Sequence, residues 1–200
     1  MGKVRREVDE GIPPLISVII PRQKHRDWFC TNWVLPAVEA LGAWEVITVP
    51  GKGHPNKKRN HGAKKATGTY LFFCDDDVIP AMGCLDVLLD HIGNHAYAYC
   101  DSYGFTLPGV RHYYAGTYEL RQKEWSHEDL RYRGTVTPMS LIRKDAFDEV
   151  GGFNEKLAHG HMKDLALRFM DAGYDGVHVP YKLFLQFNLD DGITAKAMMR

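Results

Sequence analysis

Two hundred residues with 44% apolar and 12% aromatic side chains suffice for one hydrophobic core and leave no case for a second domain. Lys and Arg total 25 and Asp and Glu total 25, so there is no bulk polycationic field for nonspecific nucleic-acid binding, only room for a local patch. Met1 to Glu10 is charged without an apolar leader core, and no apolar run reaches the roughly 18 residues of a membrane span. Cys30, Cys74, Cys84 and Cys100 show no CxxC spacing, which argues against a zinc site and for reduced, buried thiols in a soluble, cytoplasmic protein.

Residues 1–14 read as a polar tail ending at Pro13-Pro14, and residues 15–189 as the folded domain. Leu15 to Ile20 is a β-branched run stopped by Pro21, a first buried strand. An amphipathic helix is expected from Trp28 to Leu41, split or kinked at Pro36 and closed by Gly42. Trp44 to Val49 is a second strand, Pro50-Gly51-Lys52-Gly53 a loop, Lys57 to Ala66 a short basic helix and Tyr70 to Cys74 a third strand. Met82 to Ile92 has helical periodicity and Ala96 to Cys100 returns as a strand. Asp101 to Arg133, crowded with Tyr, His and Arg, reads as a surface-forming insertion. Thr135 to Ile142 is strand-like, Lys144 to Val150 a helix, Gly151-Gly152-Phe153 a turn and Asp164 to Ala172 a helix ended by Gly173. Val177 to Val179 and Leu183 to Phe187 give late strands, and residues 190–200 a loose tail. Strands alternating with helices predict an α/β fold with a mostly parallel central sheet, whose ligands bind beyond the carboxyl ends of the strands.

The third strand reaches that edge carrying Asp75, Asp76 and Asp77, with no cationic residue beside them in the sequence. Three adjacent carboxylates repel and raise one another's pKa unless a cation is shared, and hard oxygen ligands suit Mg²⁺, Mn²⁺ or Ca²⁺. A solvated loop capping the next helix is the plainer alternative.

Lys58-Arg59-Asn60-His61-Gly62-Ala63, followed by Ala66-Thr67-Gly68-Thr69-Tyr70 and the run to Asp77, resembles the RNxG, AxG and DxD succession of family-two glycosyltransferases. Leu15 to Pro21 is similar to that family's opening strand, and Ile142 to Glu155 to its GGF segment. The resemblance implies a single GT-A (Rossmann-like) domain in which DxD acids hold a divalent cation, Mn²⁺ or Mg²⁺, against the diphosphate of a nucleotide-sugar donor. It assigns Asp75 and Asp77 to the metal and Pro21, Arg22, Lys58, Arg59, Asp75 and Asp76 to the donor. For Lys57, Lys58 and Arg59 a merely solvated helix face is the competing reading.

Two departures stand out. The family's second strand ends in an acid that reads the base, whereas Val49 is followed by Pro50-Gly51-Lys52-Gly53. The family's Glu-Asp general base aligns with Gly160-His161-Met162-Lys163-Asp164, which puts Met162 at the position of the proton acceptor. His161, titrating near 6.5, and Asp164 are the two candidate bases. Gln186 and Asn188 stand where the family often has a late metal ligand, with in-sheet hydrogen bonding as their simpler role. Trp125 and Tyr113 are the candidate acceptor platform, for a saccharide, a nucleic acid or a protein side chain. Two other functions stay open: a noncatalytic nucleotide-sugar-binding relic, and a sugar nucleotidyltransferase, for which Pro21 to His25 lacks the needed glycine-rich loop.

Overall fold

The computed structural model describes residues 4–5, 15–43, 45–108, 116–133, 136–137 and 139–189. Among them one sheet holds nine strands: β1 (Val4–Arg5), β2 (Ile16–Pro21), β3 (Glu45–Val49), β4 (Tyr70–Phe73), β5 (Val78–Pro80), β6 (Tyr97–Thr106), β7 (Gly116–Leu120), β8 (Ser140–Arg143) and β9 (Gly176–Asn188). Their order is β1-β3-β2-β4-β8-β6-β9-β5, with β7 paired to β6. β2 pairs in parallel with β3 and β4, β6 with β9, and β8 lies antiparallel between β4 and β6. β2, β3, β4, β6 and β9 therefore point one way and put their carboxyl ends on one edge, the mostly but not wholly parallel sheet expected.

Alternation along the buried strands sends successive side chains to opposite faces. Val18, Ile20, Phe72, Ala98 and Leu141 face a helical segment made of a 3₁₀ turn (Lys24–Arg26), α1 (Asp27–Phe29), a π-helical turn (Cys30–Val34) and α2 (Leu35–Ala40), together with α4 (Cys84–Ile92). Ile19, Leu71, Phe73, Tyr97, Tyr99 and Ile142 face α3 (Pro55–Lys65), α5 (His127–Arg133), α6 (Lys144–Glu149) and α7 (His161–Asp171). Burying one such large apolar side chain stabilises by about 1.5–3 kcal/mol, so both layers adhere to the sheet without help from the site. α3 lies especially close to β2: a Cβ on Gly62 would stand 2.4 Å from Ile19 Cγ2.

Several boundaries differ from expectation. The first helix is divided, but the widened turn precedes Pro36, which sits in the first turn of α2. β5 is an additional strand, and the two late strands are one, β9. β6 runs on to Thr106 with Asp101, Ser102 and Thr106 buried, so the start of the expected surface insertion belongs to the sheet. Val4–Arg5, within the expected tail, pairs with β3. Trp44 and residues 190–200 lie outside the described residues. All four cysteines are buried free thiols, and among the described residues no helix is long and apolar enough to cross a membrane.

Candidate functional site

β4 delivers the three acids to the carboxyl edge, where the Asp77 carbonyl accepts a hydrogen bond from Phe187 N–H of β9 at 2.9 Å. Asp76 is 3% and Asp77 9% exposed, so each needs a cation or donor. Gln23 N–H donates to Asp76 Oδ2 at 2.5 Å, and Arg26 Nη1 to Asp76 Oδ1 at 3.2 Å. The same Arg26 nitrogen pairs with Asp77 Oδ2, and Arg59 Nη2 with Asp75 Oδ1. Burial raises the Asp76 pKa, with Arg26 and the Gln23 amide pulling it back. The acids are thus not without cationic neighbours. Arg26 and Arg59 arrive from 50 and 16 residues away in sequence, which adjacency along the chain does not reveal.

α3 explains the RNxG pattern residue by residue. His54 caps its start, the ring accepting from Asn56 N–H at 3.2 Å. Arg59, 3% exposed, reaches Asp75 with one terminal nitrogen and Asn56 Oδ1 with the other at 3.0 Å, while its guanidinium lies 5.4 Å from the Phe153 ring centre. Asn60 holds the GGF turn by both edges of its amide: Nδ2 donates to Phe153 O at 2.8 Å, and Phe153 N–H donates to Oδ1 at 2.9 Å. That turn needs glycine at 152, where φ is +71° and a Cβ would come within 2.9 Å of Asn60 Oδ1. Gly62 is the close approach to β2 already described.

The solvated-face reading of this helix holds for exposed Lys57 and fails for Lys58 and Arg59, which are buried. Lys58 Nζ donates to Arg22 O at 2.6 Å, Gly51 O at 2.6 Å and Gln23 Oε1 at 3.2 Å. Its three donors brace the loops after β2 and β3, so the expected phosphate contact would require breaking that brace. Pro21 ends β2 opposite Val49, and the Arg22 guanidinium turns to Asp27 and to Thr31 Oγ1 at 2.7 Å.

Asn56 also links α3 to α7. Because Oδ1 faces Arg59 and Nδ2 donates to Asn154 O at 2.7 Å, the amide orientation is fixed, and Nδ2 donates to His161 Nδ1 at 3.0 Å. Neutral His161 therefore carries its proton on Nε2. Burial, with help from nearby Arg59 and His54, pushes its pKa down to about 4, so the ordinary 6.5 expected of a base does not apply here. Met162 is 3% exposed and packs into the core with Leu165, Ala166 and Phe169. Asp164, one turn after His161, is bound through Oδ2 by Arg168 Nε at 2.9 Å and Nη2 at 2.8 Å, while Arg168 Nη1 donates to Val150 O at 2.6 Å.

The other end of the edge is built from the stretch read as an insertion. Asp101 Oδ1 accepts from Gln122 N–H at 2.7 Å and meets His178 Nε2 at 2.9 Å, and Tyr99 O–H donates to Lys123 O at 2.6 Å. Trp125 is half-buried against the core, and the Lys123 ammonium lies 4.4 Å over its ring. Tyr113 lies outside the described residues. Asn188 Nδ2 donates to Thr106 Oγ1 at 3.0 Å and to Tyr118 Oη, in keeping with the hydrogen-bonding role. Gln23, Arg26, Asn56, Asp101 and His178 carry no local sequence signal of a site role, whereas Asn60 does, as part of RNxG, and Tyr118 belongs to the aromatic-rich stretch.

The fold and these motifs have known counterparts. The chain matches TarS of S. aureus, residues 1–349 in complex with UDP-GlcNAc, with a TM-score of 0.66 and 16% identity over 90% of this chain and 60% of that one. The UDP complex gives 0.60 and 15%, covering 88% and 61%. A pre-mycofactocin glycosyltransferase of Mycobacterium tuberculosis is 29% identical over 143 residues, 64% of this chain. The chain spans 29% of that relative's length. Residues 37–151, which run from α2 through the RNxG helix and the three acids to the GGF turn, match the model of glycosyl transferase family 2, and the chain belongs to that family.

Proposed function

We propose that this domain transfers a sugar from a nucleoside-diphosphate donor to a hydroxyl acceptor, with Asp75 and Asp77 as protein ligands of a divalent cation, Mn²⁺ or Mg²⁺. The observation that carries the reading is the carboxylate triplet at the carboxyl end of β4, met by Arg26 and Arg59 on a sheet shaped like that of TarS. Among the described residues no three His, Cys, Asp or Glu side chains are grouped to hold a metal. Two carboxylates, completed by phosphate oxygens and water, suit an ion that is held together with its nucleotide. When bound, the cation stabilises charge developing on the leaving diphosphate. Arg59 holds Asp75 in place, Asn60 holds the GGF turn beside it, and His161 presents an Nε2–H donor. Asp164 is the proposed base. It stands one turn from His161, with Arg168 fixing its orientation through Oδ2.

TarS structures contain UDP-GlcNAc and UDP, which supports a nucleoside-diphosphate donor here. Base discrimination should be relaxed, because no carboxylate follows β3 and Lys58 ties Gly51 instead. The four buried thiols suit a reducing, cytoplasmic compartment. The burial of Met162 favours one alternative, a relic that binds donor without transferring it.

Calorimetry with UDP, GDP and ADP, with Mn²⁺ or EDTA, tests the reading. Binding that requires the cation and disappears in Asp77→Asn supports it; equal affinity in EDTA overturns the metal assignment. Donor binding without transfer across glycan, peptide and DNA acceptors would shift the assignment to the relic.

A further inference from the structure

We propose that Asn56 holds His54 and His161 as two neutral imidazoles that present their Nε2–H groups as a pair, and that this pair is a subsite for a phosphate group carried by the acceptor. Its assignment to the acceptor rests on the transfer reading above, in which Asp164 of the same helix is the base; the phosphate subsite itself does not.

One buried residue sets both rings. Asn56 N–H donates to His54 Nδ1 at 3.2 Å, and the Asn56 side chain, oriented by Arg59 and Asn154, donates through Nδ2 to His161 Nδ1 at 3.0 Å. Each Nδ1 is thereby an acceptor, so each neutral ring carries its proton on Nε2. Asn56 is 0% exposed, which keeps water from competing for either bond. The ring centres stand 5.4 Å apart. Among the described residues no acceptor meets either Nε2 and neither atom is buried, so both N–H groups are open to a ligand.

With both Nδ1 acceptors spent on Asn56, the pair can only donate, and its ligand must bring lone pairs. The surrounding charges select an anion. Burial, then Arg59 and Lys57, lowers the His54 pKa, and burial, then Arg59 and His54, lowers that of His161. Glu155 opposes this at His54 and Asp75 at His161, while His159 adds to the lowering at both. The rings therefore donate as neutral groups near pH 7, in a field that favours negative charge. Their planes cross at 76°, so the two N–H directions do not share a plane. A carboxylate keeps its two oxygens in one plane; a tetrahedral phosphate does not, and can accept from both rings.

His161 and Asp164 are three residues apart on α7 and so are neighbours on its surface. A phosphate held at the rings would place its own molecule beside the proposed base, where the acceptor hydroxyl has to lie.

NMR of the ring nitrogens tests this, with inorganic phosphate, acetate and UDP plus Mg²⁺ as probes. At pH 7 both rings of the free protein are expected as the Nε2–H tautomer. Phosphate should shift both Nε2–H signals and acetate should shift them far less, whereas UDP with Mg²⁺ should bind by calorimetry and leave them in place. Asn56→Asp keeps the size and the backbone N–H but cannot donate to His161. Its His161 ring should carry a proton on Nδ1 while His54 keeps its tautomer, and phosphate affinity should fall about tenfold. His54→Phe should lose phosphate to a similar degree with the His161 tautomer unchanged. Either ring protonated on Nδ1 in the free protein, or phosphate shifts no larger than those from acetate, overturns the subsite. UDP shifts that match those from phosphate overturn the acceptor assignment and give the subsite to the donor. If UDP does not bind while phosphate still shifts both rings, the nucleotide reading falls, and the acceptor assignment with it, while the subsite stands.

Discussion

The amino end of α3 and the amino end of α7 meet across the Asn56–His161 hydrogen bond, yet they are built on different terms. On α3 every residue of the family pattern has a partner that only it can serve: Arg59 the acid of β4, Asn60 both backbone groups of Phe153, Gly62 the close contact with β2. On α7 the residue standing at the family's base position is a methionine turned into the core, and the retained acid is held by an arginine of its own helix. The first end fixes the geometry of the β4 acid and of the GGF turn and tolerates no exchange. The second rests on the core packing of Met162 and on an ion pair within one helix.

Substitution of Arg59 should break the α3 side most severely. Arg59→Ala leaves Asp75 and Asn56 without their cation inside a buried cluster, and a cost of about 3–5 kcal/mol is expected from removing one partner of such a pair. Urea unfolding measures it. A loss below about 1 kcal/mol would show that Asp75 is solvated well enough to need no arginine.

His161 gives the comparison a pH signature. Its folded pKa of about 4 lies below the ordinary 6.5, so the unfolded chain binds the proton more readily. Stability from this group is complete above pH 6.5 and is lost as pH falls toward 4. The lowered pKa sets an upper limit of about 3 kcal/mol at 1.36 kcal/mol per unit. Thermal melts between pH 7 and pH 4 should show this decline, and His161→Gln should flatten it. An unchanged slope in the variant would assign the decline to other groups.

Gly62→Ala is next in size. The added Cβ meets the Ile19 side chain at 2.4 Å, and overpacking of this kind costs about 1–3 kcal/mol. Gly62→Ala combined with Ile19→Ala should recover part of the loss, which a double-mutant cycle reads as a favourable coupling.

These contrasts also explain what the sequence made legible. The apolar run ending in three acids announced β4 and its edge, because a strand buried on both faces has little freedom in composition. β5 escaped notice since three residues closed by a proline carry no periodicity. β6 beyond Cys100 read as surface because its polar residues are satisfied across the sheet, Asp101 by His178 and Gln122, partners 77 and 21 residues away. Lys58 and Arg59 looked solvated for the same reason: charge predicts exposure until a distant partner removes the cost of burial. The family pattern supplied the position of Asn60, but not the hydrogen bonds that make it necessary.

Asp164→Asn gives the smallest expected change in stability and the sharpest division between the two helix ends. Asp164 and Arg168 are an i, i+4 pair with side chains 26% and 29% exposed, and exposed pairs contribute about 0.2–1 kcal/mol. The amide still accepts a hydrogen bond from Arg168, so the melting temperature should move by a few degrees at most. If Asp164 removes the acceptor proton, transfer should fall about 10²- to 10⁴-fold, with nucleotide affinity unchanged, because the proposed donor contacts belong to β4 and α3. Parental transfer in Asp164→Asn removes Asp164 as base. A matched loss of nucleotide affinity would mean that the α7 end shapes the donor pocket as well, and that the division between the two helix ends is one of packing alone.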